Sequence, residues 1–230
     1  MGRAVTVARL VLNRPECANA LDAETVERLH RQSSGAAEVV VLEARGRVFC
    51  GGFDLTSLED STDADLLLRL VRIQLLLERL ADSPALTVAV VQGAAVGAGA
   101  DLALAADVRL GLPGASLRFP GAGFGAVLGT GRLAALTSPS FATEAAATGR
   151  RISAAESFDL GLLRPVPGPE EAEAEIERLT ASTVPAGTIA RLRAAGSPTT
   201  GADPLGHLVR SLADRPGLRD RIHTYQAGAR

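Results

Sequence analysis

Three stretches of this chain carry residue types whose spacing could do chemistry. The first, Gly46 to Leu55 (GRVFCGGFDL), sets Gly51 and Gly52 directly before Phe53 and Asp54. Adjacent glycines let a backbone pass close to a ligand and turn N–H groups towards it, and the same pair also suits an ordinary tight turn. The second, Gln92 to Asp107 (QGAAVGAGADLALAAD), passes through Gly97 and Gly99 into an Ala- and Leu-rich run. A strand that empties into a helix this way aims unpaired helix N-terminal amides at one point, which suits an anion or a developing oxyanion; close strand-helix packing is the alternative. Asp101 stands just inside that helix and is either an acid-base group or a solvated carboxylate favoured by the helix dipole. The third, Ser116 to Thr130 (SLRFPGAGFGAVLGT), is Gly-rich and contains no carboxylate. It could wall a pocket or form a surface loop.

Regular elements must hold these stretches in place. Ala4 to Leu12 alternates as a strand does and ends at Asn13-Arg14-Pro15. Asp22 suits the N-cap of a helix running through VERLHRQ, with His30 on its polar face and expected in solvent. Val39 to Glu43 reads as a buried strand that feeds the first Gly-containing loop. Asp63 to Ala81 carries Leu and Val at three- and four-residue spacing, an amphipathic helix that ends before Pro84. Thr87 to Gln92 and Val108 to Leu112 read as further strands. Strands alternating with helices argue for an α/β domain with largely parallel pairing. From about Ser138 helical segments dominate, with GPEEAEAEIERLTAS and DPLGHLVRSLADRPGLRDRIHTYQ the clearest. A core over residues 1–165 and a helical C-terminal segment over 166–230 are therefore expected.

Composition narrows the function classes. At 230 residues with 47% apolar and 3% aromatic content, one well-buried domain with an Ala, Val and Leu core is expected. The 24 basic residues are scattered among 26 acidic ones for a net charge of -2, so nucleic acid is not an expected partner. Every Lys+Arg residue is Arg, which excludes Schiff-base chemistry and lysine acids. Cys17 and Cys50 lack a C-x-x-C spacing, and Met1 leads into an alternating strand without a signal-peptide pattern, so a cytoplasmic location is expected. No apolar run reaches the length of a membrane span.

Taken together the motifs resemble the crotonase superfamily of enoyl-CoA hydratases and isomerases. LNRPECANALDAETVERL is similar to the family's stretch after its first long strand. VVLEARGRVFCGGFDLTSLE resembles the first oxyanion loop, TVAVVQGAAVGAGADLALAADVRL the second loop and its helix, and TGRRISAAESFDLGLLRPV the helix-turn-helix beyond. The resemblance implies a ββα superhelix core with a helical C-terminal layer, packing as a homotrimer or dimer of trimers through its C-terminal helices. It implies an acyl-CoA or acyl-carrier-protein thioester as partner, with coenzyme A as part of the substrate, no separate cofactor and no metal.

Carried across residue by residue, the oxyanion donors are the N–H groups of Phe53 and Ala98, within Gly51-Gly52-Phe53 and Gly97-Ala98-Gly99. Asp101 takes the place of the family's first hydratase Glu, one methylene shorter. The second Glu normally follows a Pro in the third segment, where Pro120 is followed by Gly121. Asp54 orders its loop in the family pattern. Arg14 is the candidate for a phosphate contact, Ala20 and Leu21 lie where the nucleotide end is lined, and His207 and His223 fall in the C-terminal helices. Glu59 and Asp60, a turn beyond the first loop, are candidates for approaching the pocket. Missing a second carboxylate, the site departs from a two-Glu hydratase. Isomerisation, thioester hydrolysis, decarboxylation and a non-catalytic auxiliary role all stay open. A dinucleotide-binding fold, prompted by Gly97-x-Gly99 alone, lacks the longer G-x-G-x-x-G and a ribose-binding acid.

Overall fold

The structure, a computed structural model, describes residues 5–181, 184, 187–196, 204–213 and 216–228. β1 (Val7–Leu12), β2 (Val39–Ala44), β3 (Leu86–Val91), β5 (Val108–Gly111) and β8 (Arg164–Pro165) form one sheet in the order β1-β2-β3-β5-β8, and every pairing in it is parallel. Strand β2 shows why the pattern VVVL is unbroken. Val40 and Leu42 enter the main core, while Val39 and Val41 point to the opposite face beneath Val166, Ala172 and Ile176. A parallel strand covered on both faces has no side left for polar residues.

The helices α1 (Ala23–Gln32) and α2 (Asp63–Ala81) close the first face, and α7 (Pro169–Ala181) closes the second. Asp22 caps α1 by accepting from the Thr25 N–H at 2.8 Å. Thr62 and Asp65 form a reciprocal capping box at the start of α2, a signal that the apolar spacing alone does not carry. His30 departs from expectation. It is half-buried, and its Nε2 lies 3.0 Å from the Arg72 carbonyl because α2 packs across that face of α1.

A second, smaller sheet was not foreshadowed by periodicity. β4 (Ala94–Val96) pairs in parallel with β6 (Ser116–Arg118), which pairs antiparallel with β7 (Arg151–Ser153). Strands of three residues are too short for an alternation to be read. They matter here because β4 delivers the chain into α3 (Ala98–Leu104), and β6 delivers it into a 3₁₀ turn (Pro120–Phe124) and α4 (Thr130–Leu136). Then follow α5 (Pro139–Thr148), which packs on α4, α6 (Ala154–Asp159), which packs on β6 and β7, α8 (Thr188–Gly196), α9 (Pro204–Ala213) and α10 (Leu218–Gly228).

The C-terminal helices were expected to pack between subunits. Within the single chain they already cover α2. Leu208, Leu212, Leu218 and Ile222 bury against Leu66 and Leu70. Asp63 at the start of α2 also accepts from the Leu218 and Arg219 N–H groups at 3.0 and 2.8 Å, capping α10 and locking its position. The side chain of His207 lies outside the described residues.

Candidate active site

The first loop is built around two buried polar residues. Asn19, 1% exposed, accepts from the Arg14 N–H and donates to the Arg45 and Val48 carbonyls, each at 2.8 Å, so three separate turns are pinned to one side chain. Asp54, 2% exposed, accepts from Arg14 Nη1 at 2.8 Å and from the Thr56 N–H and hydroxyl at 2.9 and 2.7 Å. Burial alone would raise this carboxyl, but the bonds from Arg14 and Thr56 outweigh it and hold the group below the usual carboxylate range. Between them, the Leu21 N–H donates to the Gly52 carbonyl and the Asp54 N–H donates to the Leu21 carbonyl. Phe53 is therefore gripped on both sides while its own N–H points away from Leu21 and meets no acceptor among the described residues.

The second loop meets the first at Gly52. A Cβ there would stand 2.4 Å from the Val96 carbonyl oxygen and 3.4 Å from the Ala98 nitrogen, on a backbone with φ of +90°. Only glycine permits this approach. Gly97, with φ of 54°, turns β4 into α3, whose first internal bond is from the Asp101 N–H to the Gly97 carbonyl. Ala98 thus opens the helix with an N–H that, like that of Phe53, meets no acceptor among the described residues. Gly99 plays a different part: a Cβ on it would come 2.4 Å from the Cys50 carbonyl, so it serves close packing rather than the cavity. Cys50 itself is fully buried, its thiol pushed up to about 12 by burial, and acts as a packing residue.

Asp101 is 4% exposed and its Oδ1 has no hydrogen-bond partner. A buried carboxylate without donors is costly, so burial drives its pKa up to about 7, with only partial relief from the charge of Arg132 on α4. Arg132 makes no ion pair with it, and burial lowers the pKa of the guanidinium in turn. The carboxyl rests on Gly129, where a Cβ would lie 1.8 Å from Oδ1. An orphaned acid titrating near neutrality is a group prepared to exchange a proton.

These features open onto one cavity of about 370 Å³. Gly51, Gly52, Phe53, Gly97, Ala98 and Asp101 line it, and so does Gly121 of the third segment, which forms a wall. Arg14, Ala20, Leu21, Asp54 and Gly99 do not. Arg14 spends its Nη1 on Asp54, the Ala20 carbonyl and Asp22, the last at 3.2 Å, and Leu21 lines a separate groove between α1 and α2. Glu59 and Asp60 are exposed and outside the cavity; Glu59 lies 3.7 Å from His223. Sequence reasoning did not single out Thr130, Thr143 or Tyr225, which also line the cavity. Tyr225 arrives from α10, and its ring lies so close to Gly123 that a Cβ there would stand 2.7 Å away. No local pattern signals a contact across that sequence distance.

The sequence profile described as enoyl-CoA hydratase/isomerase matches residues 2–193. The chain belongs to this family. A Bacillus subtilis protein named as an enoyl-CoA hydratase/isomerase is 33% identical over 193 residues, covering 80% of this chain and 74% of its own length. The human mitochondrial enoyl-CoA hydratase domain-containing protein 2 is 33% identical over 190 residues, and the match spans 76% of this chain and 63% of that one, so part of the longer relative has no counterpart in the alignment. Among solved structures, a chain from Bordetella parapertussis named as an enoyl-CoA hydratase/isomerase superposes with a TM-score of 0.92 at 36% identity, covering 98% of this chain and 97% of that one. A Thermobifida fusca chain named as an enoyl-CoA hydratase, in complex with acetoacetyl-CoA, superposes with a TM-score of 0.75 at 27% identity, covering 92% of this chain and 91% of that one. The crotonase fold expected from the sequence is the fold observed. No described helix is long and apolar enough to cross a membrane.

Proposed function

We propose that this family member binds an acyl-CoA and moves a proton along its acyl chain in the manner of an enoyl-CoA isomerase, with Asp101 as its single acid-base group. What carries the reading is the meeting, in one apolar cavity, of two unpartnered N–H groups and one unpartnered carboxyl poised near pH 7. In the proposed step the ionised Asp101 takes a proton from the α-carbon of a 3-enoyl thioester. The electron pair moves onto the carbonyl oxygen, which Phe53 and Ala98 N–H groups stabilise by ~3 kcal/mol each. The enolate then collapses, its electrons shift the double bond, and the protonated Asp101 returns the proton to the γ-carbon. The product is the 2-enoyl thioester, with no water added and the carboxylate restored.

Hydration would need one group to activate water and another to manage the α-proton, and Gly121 has no side chain to serve as the second. The Thermobifida fusca neighbour, in complex with acetoacetyl-CoA, supports a CoA thioester as ligand; a carrier-protein thioester offers the same reacting carbonyl. The same Gly121 favours a second reading, an auxiliary family member that binds the thioester without turning it over.

Offering 3-hexenoyl-CoA and crotonyl-CoA to the purified protein separates these. Isomerisation converts the first to the conjugated thioester at unchanged mass and adds no water to the second. Water addition to crotonyl-CoA with 3-hexenoyl-CoA untouched would contradict the proposal in favour of a hydratase; binding of both without change would favour the auxiliary reading.

A further inference from the structure

The oxyanion donor Phe53 has a contact that neither the loop nor the family pattern accounts for. Arg69, on α2, places its guanidinium carbon 4.5 Å from the centre of the Phe53 ring. The same guanidinium donates from Nη2 to the Asp54 carbonyl at 2.6 Å and from Nη1 to the Ser57 hydroxyl at 3.0 Å. With these bonds every polar atom of Asp54 is held: its N–H by Leu21, its carboxylate by Arg14 and Thr56, its carbonyl by Arg69. Phe53 is held at its ring by Arg69 and at its flanking peptides by Leu21. The N–H of Phe53 has no hydrogen-bond partner among the described residues.

We infer that Arg69 is a positioning residue for the oxyanion site, clamping the ring of Phe53 and the carbonyl of Asp54 to helix α2 so that the Phe53 N–H stays aimed into the cavity. This rests on Phe53 acting as a donor to a thioester carbonyl. The guanidinium is suited to the task for three reasons. It is planar, so one face stacks on the ring while its edge donates two bonds. It is half-buried, and burial lowers its pKa against the pull of Asp54 and Asp22, so its charge is felt locally rather than screened. And it stands on the helix that also packs under α9 and α10, which makes the first loop answer to the C-terminal layer.

Two variants test the inference, Arg69→Met, which keeps reach and loses the fork, and Arg69→Lys, which keeps the charge and loses the planar stack. The readout is the red-shift of a conjugated 2,4-dienoyl-CoA on binding, which reports polarisation of the thioester carbonyl, measured beside turnover and thermal stability. Arg69→Met is expected to lose most of the red-shift and about 10- to 100-fold in kcat with KM changed no more than about threefold. Arg69→Lys is expected to recover part of both. Asp101→Asn is expected to keep the red-shift while losing turnover. An Arg69→Met protein with wild-type red-shift and kcat would overturn the inference, as would a loss confined to thermal stability; should that variant not fold, the lysine variant decides by the same two readouts. A wild-type protein that binds the dienoyl thioester with no red-shift would instead remove the oxyanion reading on which the inference stands.

Discussion

Asp101 binds its proton more tightly in the folded chain than an ordinary Asp, since burial raises its pKa to about 7 from 3.8. Between those values the native state holds more protons than the unfolded one, so stability falls as pH rises through that window. Asp101→Asn removes the titration. It should leave stability nearly unchanged at pH 4 and raise the melting temperature at pH 8, by about 2–4 °C for each kcal/mol recovered. Turnover that needs the ionised carboxylate should rise with pH through about 7 in the wild type, and a pH-rate profile checks this. Gly129 gives a second test at this scale. Gly129→Ala would set a methyl 1.8 Å from Asp101 Oδ1, so the carboxyl must rotate away, and kcat should fall by about 100-fold in a protein that still folds and binds. The family resemblance singled out Asp101 by its offset from Ala98, and the structure places that side chain on the cavity. It could not foretell Gly129, because that contact depends on how α4 returns to α3.

At the scale of elements, the close approach of the first loop to Val96 of the second requires that Gly52 have no side chain. Gly52→Ala should cost about 1–3 kcal/mol in a denaturant titration, from its left-handed φ and the clash with the Val96 carbonyl. It should also part the two amides and abolish turnover. Asp63 links α2 to α10, and Asp63→Ala should cost about 1 kcal/mol while loosening the helix that carries Tyr225 into the cavity, seen as faster hydrogen exchange over residues 218–228. The long elements were legible in the sequence for clear reasons. α2 spans the expected Asp63–Ala81 because its Leu spacing and its boundaries are local signals, and β2 showed itself as an unbroken β-branched run. β4, β6 and β7 were not legible, since three residues carry no period, and neither was the approach of Tyr225, which is set by the packing of Leu218 and Ile222 on α2.

For the whole molecule, the resemblance implies a homotrimer or dimer of trimers, and light scattering should return about three or six times the 23.7 kDa chain mass. Within the single chain α9 and α10 already bury Leu66 and Leu70, and α10 brings Tyr225 to the cavity. The molecule thus divides its labour. A doubly covered parallel sheet fixes the two loops, the small sheet turns them towards each other, and α10 adds Tyr225 to the wall of the space in which Asp101 meets the amides of Phe53 and Ala98.

That meeting is tested most directly by incubating the protein with crotonyl-CoA in deuterated water and following deuterium at the γ- and α-carbons by mass spectrometry, beside Asp101→Asn. Removal of a γ-proton by Asp101 and its return from an exchanged carboxyl predicts deuterium uptake by the wild type, reduced by about 100-fold or more in the variant. Equal uptake by both proteins, or none by either, would contradict it.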